Sequence, residues 1–76
     1  MKVYKVFTTG QTGPVHPKGN DLACAGFIMN SNTTATFKTP NGITFELVNP
    51  SSDGPKMFDV SVSEVTDNAG TVIILG

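Results

Sequence analysis

The amino-acid sequence predicts an all-β protein, a small antiparallel β-sandwich or barrel of about six strands. Apolar and polar residues alternate with period two in several segments, and no segment shows the i, i+3, i+4 spacing of an amphipathic helix. Turn residues separate these segments every eight to twelve positions or so, a spacing typical of sandwiches and barrels. The 76 residues are predicted to form a single β domain, residues 1–76, in which residues 9–20 are a loop or an extended arm.

Two strands are predicted on either side of that loop or arm. Residues 2–8 (KVYKVFT) are rich in valine and aromatic residues, which favour strands. Residues 22–29 (LACAGFIM) are mostly small and apolar and are bounded by polar residues, which predicts a buried strand. Between them, glycines and prolines interrupt regular structure, and such a segment is expected to become ordered against a neighbour. The candidate arm residues are Gln11, Thr12, Gly13, Pro14, Val15, His16 and Pro17.

A hairpin and a further one-sided strand are predicted in the middle of the chain. Apolar residues at positions 35 and 37, and again at 43, 45 and 47, alternate with polar residues, and residues 40–42 (PNG) form the turn between them. After a loop at 49–55, Phe58, Val60 and Val62 alternate with polar residues and predict another strand. Residues 67–70 (DNAG) are predicted to turn the chain into a final strand, residues 71–75.

The final strand is apolar on both faces. Alternation places Val72 and Ile74 on one side and Ile73 and Leu75 on the other, so neither side suits contact with water. Either the strand is central, covered by the opposite sheet and by a loop such as 9–20, or its outer side packs on another subunit. Val72, Ile73, Ile74 and Leu75 are therefore the candidate subunit interface.

The size of the chain also favours a protein partner. A domain of 76 residues hides only about 60% of the surface that its unfolded chain exposes. Small domains often compensate with disulfides, metals or oligomerisation, and the single cysteine, Cys24, excludes an internal disulfide. We therefore expect a homo-oligomer.

Charge and hydropathy argue against two other classes of partner. A net charge of −1 with only five cations, all lysines, provides no basic stripe for phosphate contacts, so we expect no nucleic-acid partner. No apolar run approaches the ~20 residues that span a bilayer, so we expect no membrane partner. No signal peptide is predicted, and synthesis in a cytoplasm is expected.

Residues that could carry chemistry do not combine into a reactive site. Cys24 with His16 and Asp21 could form a nucleophilic trio, but the apolar segment around Cys24 should raise the pKa of its thiol. His16 is the only histidine, so we expect no metal site around it. Residues 67–70 share some side chains with a calcium loop but lack its twelve-residue pattern. The sequence predicts neither an enzyme nor a cofactor.

The order of short motifs from residue 22 onward carries a family resemblance. These motifs are Ala25-Gly26, Thr34-Ala35-Thr36-Phe37, Gly42 with Phe45, Gly54-Pro55, the valines Val60, Val62 and Val65, Gly70-Thr71, and the closing apolar strand. In this order the chain resembles the small β-proteins that tailed bacteriophages and gene transfer agents build into their virions, the head decoration and spike-base proteins. The resemblance implies a noncatalytic structural subunit in symmetric copies, made in the host cytoplasm and located in the virion. Its implied partners are other virion proteins such as capsid or spike subunits, and it carries over no individual functional residue.

The alternative function is a small ligand-binding β-module that works as a monomer and binds carbohydrate or peptide. Carbohydrate sites use exposed aromatic platforms. Tryptophan is absent, Tyr4 is the only tyrosine, and the phenylalanines at 27, 37, 45 and 58 fit inward positions. The composition therefore favours the structural subunit.

Overall fold

The computed structural model describes residues 2–19, 22–50 and 54–76, and in these ranges the chain is all-β. The strands are β1 (Val3–Phe7), β2 (Gly13–Pro14), β3 (Gly26–Met29), β4 (Thr33–Lys38), β5 (Thr44–Asn49), β6 (Lys56–Phe58), β7 (Glu64–Ala69) and β8 (Val72–Leu75). They form two antiparallel four-stranded sheets, ordered β1-β8-β3-β6 and β2-β7-β4-β5. The predicted fold class is confirmed, with eight strands rather than about six. Within the described ranges, no helix is long and apolar enough to cross a membrane.

One apolar core lies between the two sheets. Phe27 of β3 stacks on Phe37 of β4, with ring centroids 4.3 Å apart, and neither side chain is exposed. Phe58 and Phe45 extend this contact at 5.4 and 5.7 Å. All four phenylalanines that were predicted to point inward therefore contact the core. The other buried apolar side chains of the core are Phe7, Val15, Cys24, Met29, Ala35, Val62, Val65, Val72 and Ile74.

The predicted hairpin is present as β4 and β5. Phe37 pairs with Phe45 and Ala35 pairs with Leu47, so the apolar positions of both strands face the core. Ile43 is an exception, because it lies in the turn before β5 and is 62% exposed. Its backbone N–H donates to the Thr39 hydroxyl at 3.1 Å, which holds it in the turn rather than in the ladder.

The predicted strand over residues 22–29 is shorter than expected, because only Gly26–Met29 join the ladder. The Cys24 N–H donates to the carbonyl of Val62, which lies outside any strand, at 3.0 Å. Gly26 marks the transition: a Cβ atom at this position would lie 2.7 Å from the carbonyl oxygen of Phe58. Cys24 is therefore bound to a crossing segment, while the next residue, Ala25, already donates its N–H to the Leu75 carbonyl of β8 at 2.9 Å.

The region around residues 58–70 also corrects the prediction. β6 ends at Phe58, and residues 59–63 connect the first sheet to the second. In this connection Val62 is buried and Val60 is 39% exposed. β7 then occupies residues 64–69, where a turn was predicted at 67–70. The physical reason is Asn68, whose inward side chain donates from Nδ2 to the Thr8 carbonyl at 2.9 Å. This bond lets a turn-favouring residue occupy a buried strand position.

Residues 9–19 form a loop held against their own domain, and residue 20 lies outside the described residues. Gly13 and Pro14 form β2, which pairs with β7, and the Lys5 ammonium donates to the Pro14 carbonyl at 2.9 Å. Val15 is fully buried in the core, and its N–H donates to the Ser63 carbonyl at 3.1 Å. Val15 is therefore an apolar anchor that holds this segment against the rest of the domain.

Gly70 sits in a turn that no larger residue fits. Its φ is +138°, and a Cβ atom there would lie 2.8 Å from the Cα of Thr33. The Thr33 hydroxyl accepts a hydrogen bond from the Thr71 N–H at 3.2 Å, which fixes the turn between β7 and β8. The position therefore requires both the conformational freedom and the small size of glycine.

Replacing Gly70 by alanine should lower the free energy of unfolding by at least about 1–3 kcal/mol, because the new methyl group combines backbone strain with a steric clash. The matched control is Gly54→Ala, where nothing lies within 4 Å of the added atom. We expect this control to change stability by no more than about 0.5 kcal/mol. Urea unfolding measures both variants, and equal losses would contradict this account of the turn.

Asn49 joins three parts of the chain from a buried position at the end of β5. It is 1% exposed, and its Nδ2 donates to the carbonyls of Met29, Asn30 and Gly54 at 2.9, 3.1 and 3.1 Å. These carbonyls belong to the end of β3, the residue after it and the segment before β6. One side-chain amide therefore holds both connections at this end of the molecule.

Asn49→Ala should cost about 1–3 kcal/mol or more, since buried carbonyls lose their donor. Asn49→Asp should cost more, because a carboxylate would face the same carbonyl oxygens. The adjacent Val48 is 58% exposed on the opposite side of β5, so Val48→Ala is the control and should be nearly neutral. If thermal and urea unfolding rank Asn49→Asp as the more stable of the two, the amide does not act as the donor described.

Candidate subunit-contact surface

The predicted interface strand β8 is central in the first sheet, between β1 and β3. Val72 and Ile74 are fully buried in the core, and Leu75 is 7% exposed. Ile73 is half-buried and lies on the outer face of the sheet, opposite to the core. The central placement, which is one of the two predicted alternatives, accounts for the burial of Val72 and Ile74. Ile73, in contrast, belongs to a larger apolar surface on the outer face of the sheet.

Four apolar side chains lie in line across the outer face of the first sheet. Val6 of β1 pairs with Ile73 of β8, Ile73 pairs with Ile28 of β3, and Ile28 pairs with Met57 of β6. Val6 is 51% exposed and Met57 is 54% exposed at the two edges, while the isoleucines between them are partly covered by their neighbours. We call these four residues the apolar row.

The rest of this face is also uncharged. Register and alternation place Val3, Gly26 and Leu75 on the same side as the apolar row. Lys5 pairs with the inward Ile74, and its ammonium is bound to the Pro14 carbonyl. Every strand residue that the structure places on this outer face is therefore neutral, and most are aliphatic.

The outer face of the second sheet has the opposite chemistry. β4, β7 and β5 direct threonines and charged residues outward, since their alternate positions fill the core. Residues on this face include Thr34, Thr36, Lys38, Thr44, Glu46, Val48, Glu64 and Asp67. The molecule thus has one polar and one apolar broad face.

A polar hollow of about 360 Å³ lies beside the β4–β5 turn. Its lining residues are Lys38, Thr39, Pro40, Asn41, Gly42, Ser63 and Glu64, and none of them is aromatic. Two of its hydroxyl groups are already engaged, because Ser63 donates to the Lys38 carbonyl at 3.1 Å and Thr39 accepts from the Ile43 N–H. The hollow therefore offers no ring on which a sugar could stack.

Cys24 and His16 occupy structural positions. Burial raises the pKa of the Cys24 thiol, as its apolar segment predicts, which disfavours the reactive thiolate. The His16 Nδ1 accepts a hydrogen bond from the Lys18 N–H at 3.0 Å, and the ring packs edge-on against Tyr4 with centroids 4.8 Å apart. Asp21, the third member of the hypothetical trio, lies outside the described residues. In the described part of the chain, no three His, Cys, Asp or Glu residues gather to hold a metal ion.

Sequence reasoning found Ile73 but missed the other three members of the apolar row. Val6, Ile28 and Met57 belong to three separate segments, and each looks ordinary in its own segment. The one available signal was the alternation of Ile28 with the buried Phe27 and Met29, which places Ile28 on the other face. Strand order, which the local pattern does not encode, brings the four together.

The chain matches no known family, and comparisons with curated proteins and with solved structures gave no match either. The resemblance to virion proteins therefore stays a hypothesis. The contrast between the two broad faces is the physical basis on which a function can be proposed.

The two faces of β8 predict a difference between two aspartate variants. Ile74→Asp should abolish folding, because it places an unpaired charge in the core at a cost of several kcal/mol. Ile73→Asp should leave a folded protein that no longer assembles, since its charge points into the apolar row. Size-exclusion chromatography and thermal melting distinguish the two outcomes.

Thr34→Asp is the control for these variants, since Thr34 lies on the polar face between the uncharged Val48 and Ala69. It should melt and elute like the parent. If both isoleucine variants unfold, or if both assemble like the parent, the outer face of β8 is not a subunit contact.

Proposed function

We propose that this protein is a noncatalytic structural subunit of a phage-like virion, a capsid decoration or spike-base protein. It acts through symmetric subunit contacts in a homo-oligomer, and its further partners are virion proteins such as capsid or spike subunits. The observation that carries this proposal is the apolar row, which crosses all four strands of one sheet and faces outward.

Contiguous exposed apolar surface on a small protein marks a site of interaction. Val6 and Met57 are each more than half exposed, although both lie in regular strands where a polar residue would cost nothing. The polar face of the second sheet provides the contrast, because it shows the pattern expected of a sheet that faces water. A subunit on a particle surface needs both kinds of face, one for its neighbours and one for solvent.

The proportions of the domain also fit a packed subunit. Its extents are 34 × 25 × 19 Å, so it is a small body, and its two sheets give it one polar and one apolar outer face. A chain of this size has a small core, and burial against a neighbour adds stability by mass action. Assembly would therefore support the fold as well as the particle.

The monomeric ligand-binding module has less support. Binding sites for small ligands are concave, mostly apolar and equipped with a few convergent polar groups. The hollow beside the β4–β5 turn is polar, and its lining contains no aromatic residue. The apolar surface of the molecule lies on a sheet face instead.

The test is co-sedimentation with intact phage-like particles from cells that encode the chain. The parent should pellet with the particles, the Thr34→Asp control should do the same, and Ile73→Asp should remain in the supernatant at least tenfold more than the parent. Quantitative mass spectrometry of pellet and supernatant gives the ratio. A parent protein that stays in the supernatant while the particles pellet would overturn the virion role.

A further inference from the structure

We infer that the partner on the apolar row is a second copy of this chain, related by a two-fold axis that runs parallel to the strands between β8 and β3. This inference rests on the proposed function and deepens it by naming the occupant of that surface. The two copies would pack their first sheets face to face, with the polar faces of their second sheets outward.

Charge favours a second copy over a foreign partner. A two-fold contact sets one surface patch against itself, so any charge on the patch would meet its like. The described strand residues on this face are all neutral, and Lys5 and Lys56 pair with the inward Ile74 and Met29. The face is thus compatible with itself and provides no charge to recognise an acidic or basic partner.

The order of the row in the sheet also favours a second copy. Val6 and Met57, the two most exposed members, lie on the two edge strands, and the less exposed isoleucines lie between them. Exposure is therefore distributed evenly about the line between β8 and β3, so two copies related by an axis on that line bring their rows into contact along the whole length.

The side chains within the row select the direction of the axis. An axis parallel to the strands sets Val6 opposite Met57 of the second copy and Ile73 opposite Ile28 of the second copy. Each contact then combines a short with a long side chain, or two isoleucines, so the sheets remain evenly spaced. An axis along the row would instead set valine on valine at one edge and methionine on methionine at the other, leaving the valine edge underpacked.

Charge variants at the two ends of the row test this arrangement. Val6→Lys and Met57→Glu should each raise the dissociation constant of the dimer about a hundredfold or more, because each places two unpaired charges in an apolar contact. Both positions are half exposed on edge strands, so the monomers should stay folded, as thermal melting verifies. Val48→Lys is the matched control, a valine 58% exposed on an edge strand of the polar face, and it should dimerise like the parent.

The double variant Val6→Lys, Met57→Glu decides the geometry. With the axis parallel to the strands, each new lysine faces a new glutamate, so the dimer should re-form and become sensitive to salt. An equimolar mixture of the two single variants should likewise form a heterodimer. With the axis along the row, like charges would meet in the double variant, and in the mixture each charge would face an apolar side chain, so neither sample would dimerise.

Sedimentation velocity over a range of concentrations measures the oligomeric state and the dissociation constant of each sample. A parent that is monomeric at ~100 µM, well above the dissociation constants of specific interfaces, overturns the inference. A parent that forms a trimer or a pentamer also overturns the inference. The same holds for a double variant that dimerises as weakly as the single variants. A monomeric parent that still pellets with particles refutes the second copy and leaves the virion role standing. A parent dimer that does not pellet with particles refutes the virion role alone.

Discussion

The stacked rings of Phe27 and Phe37 are the contact on which the rest of the structure depends. They join the two sheets at 4.3 Å, and each ring is flanked in its own sheet by further core residues. Because side chains alternate along a strand, turning Phe27 inward forces Ile28 outward. The same constraint acts on β8, where the inward Ile74 forces Ile73 outward. The central half of the apolar row is thus a geometric consequence of the core, and a one-residue slip would exchange the two faces.

Two asparagines hold the connections around this core. Asn49 gathers three carbonyls at one end of the molecule, and Asn68 holds the loop after β1 through Thr8. Both Oδ1 atoms are buried without a hydrogen-bond partner among the described residues. Each such atom costs about 1–3 kcal/mol. In a domain with a small core, this cost makes additional burial against a neighbouring subunit valuable.

The two sheets differ in the residues on their outer faces, although both are antiparallel and have four strands. β4 and β5 alternate apolar with polar residues, because one side fills the core and the other meets water. β3 and β8 are apolar on both sides, although Ile28 and Ile73 on the outer side are only partly buried. The edge strands complete the contrast, since Val6 and Met57 extend the apolar character to both margins of the sheet. This asymmetry is the property that a surface-mounted subunit can use.

The sequence by itself determined the β class, the central hairpin, the inward phenylalanines, the buried cysteine and the two-sided apolar character of β8. Each of these features depends on side-chain periodicity or on turn residues within a few positions, so a short segment is enough to predict it. Tertiary structure alone decided that Asn68 lies in a strand rather than a turn, since its partner Thr8 is distant in sequence. It likewise decided that Val15 anchors the loop through a hydrogen bond to Ser63, and that Val6, Ile73, Ile28 and Met57 form one row. The reason is that strand order depends on hydrogen bonds between remote segments, about which local alternation carries no information.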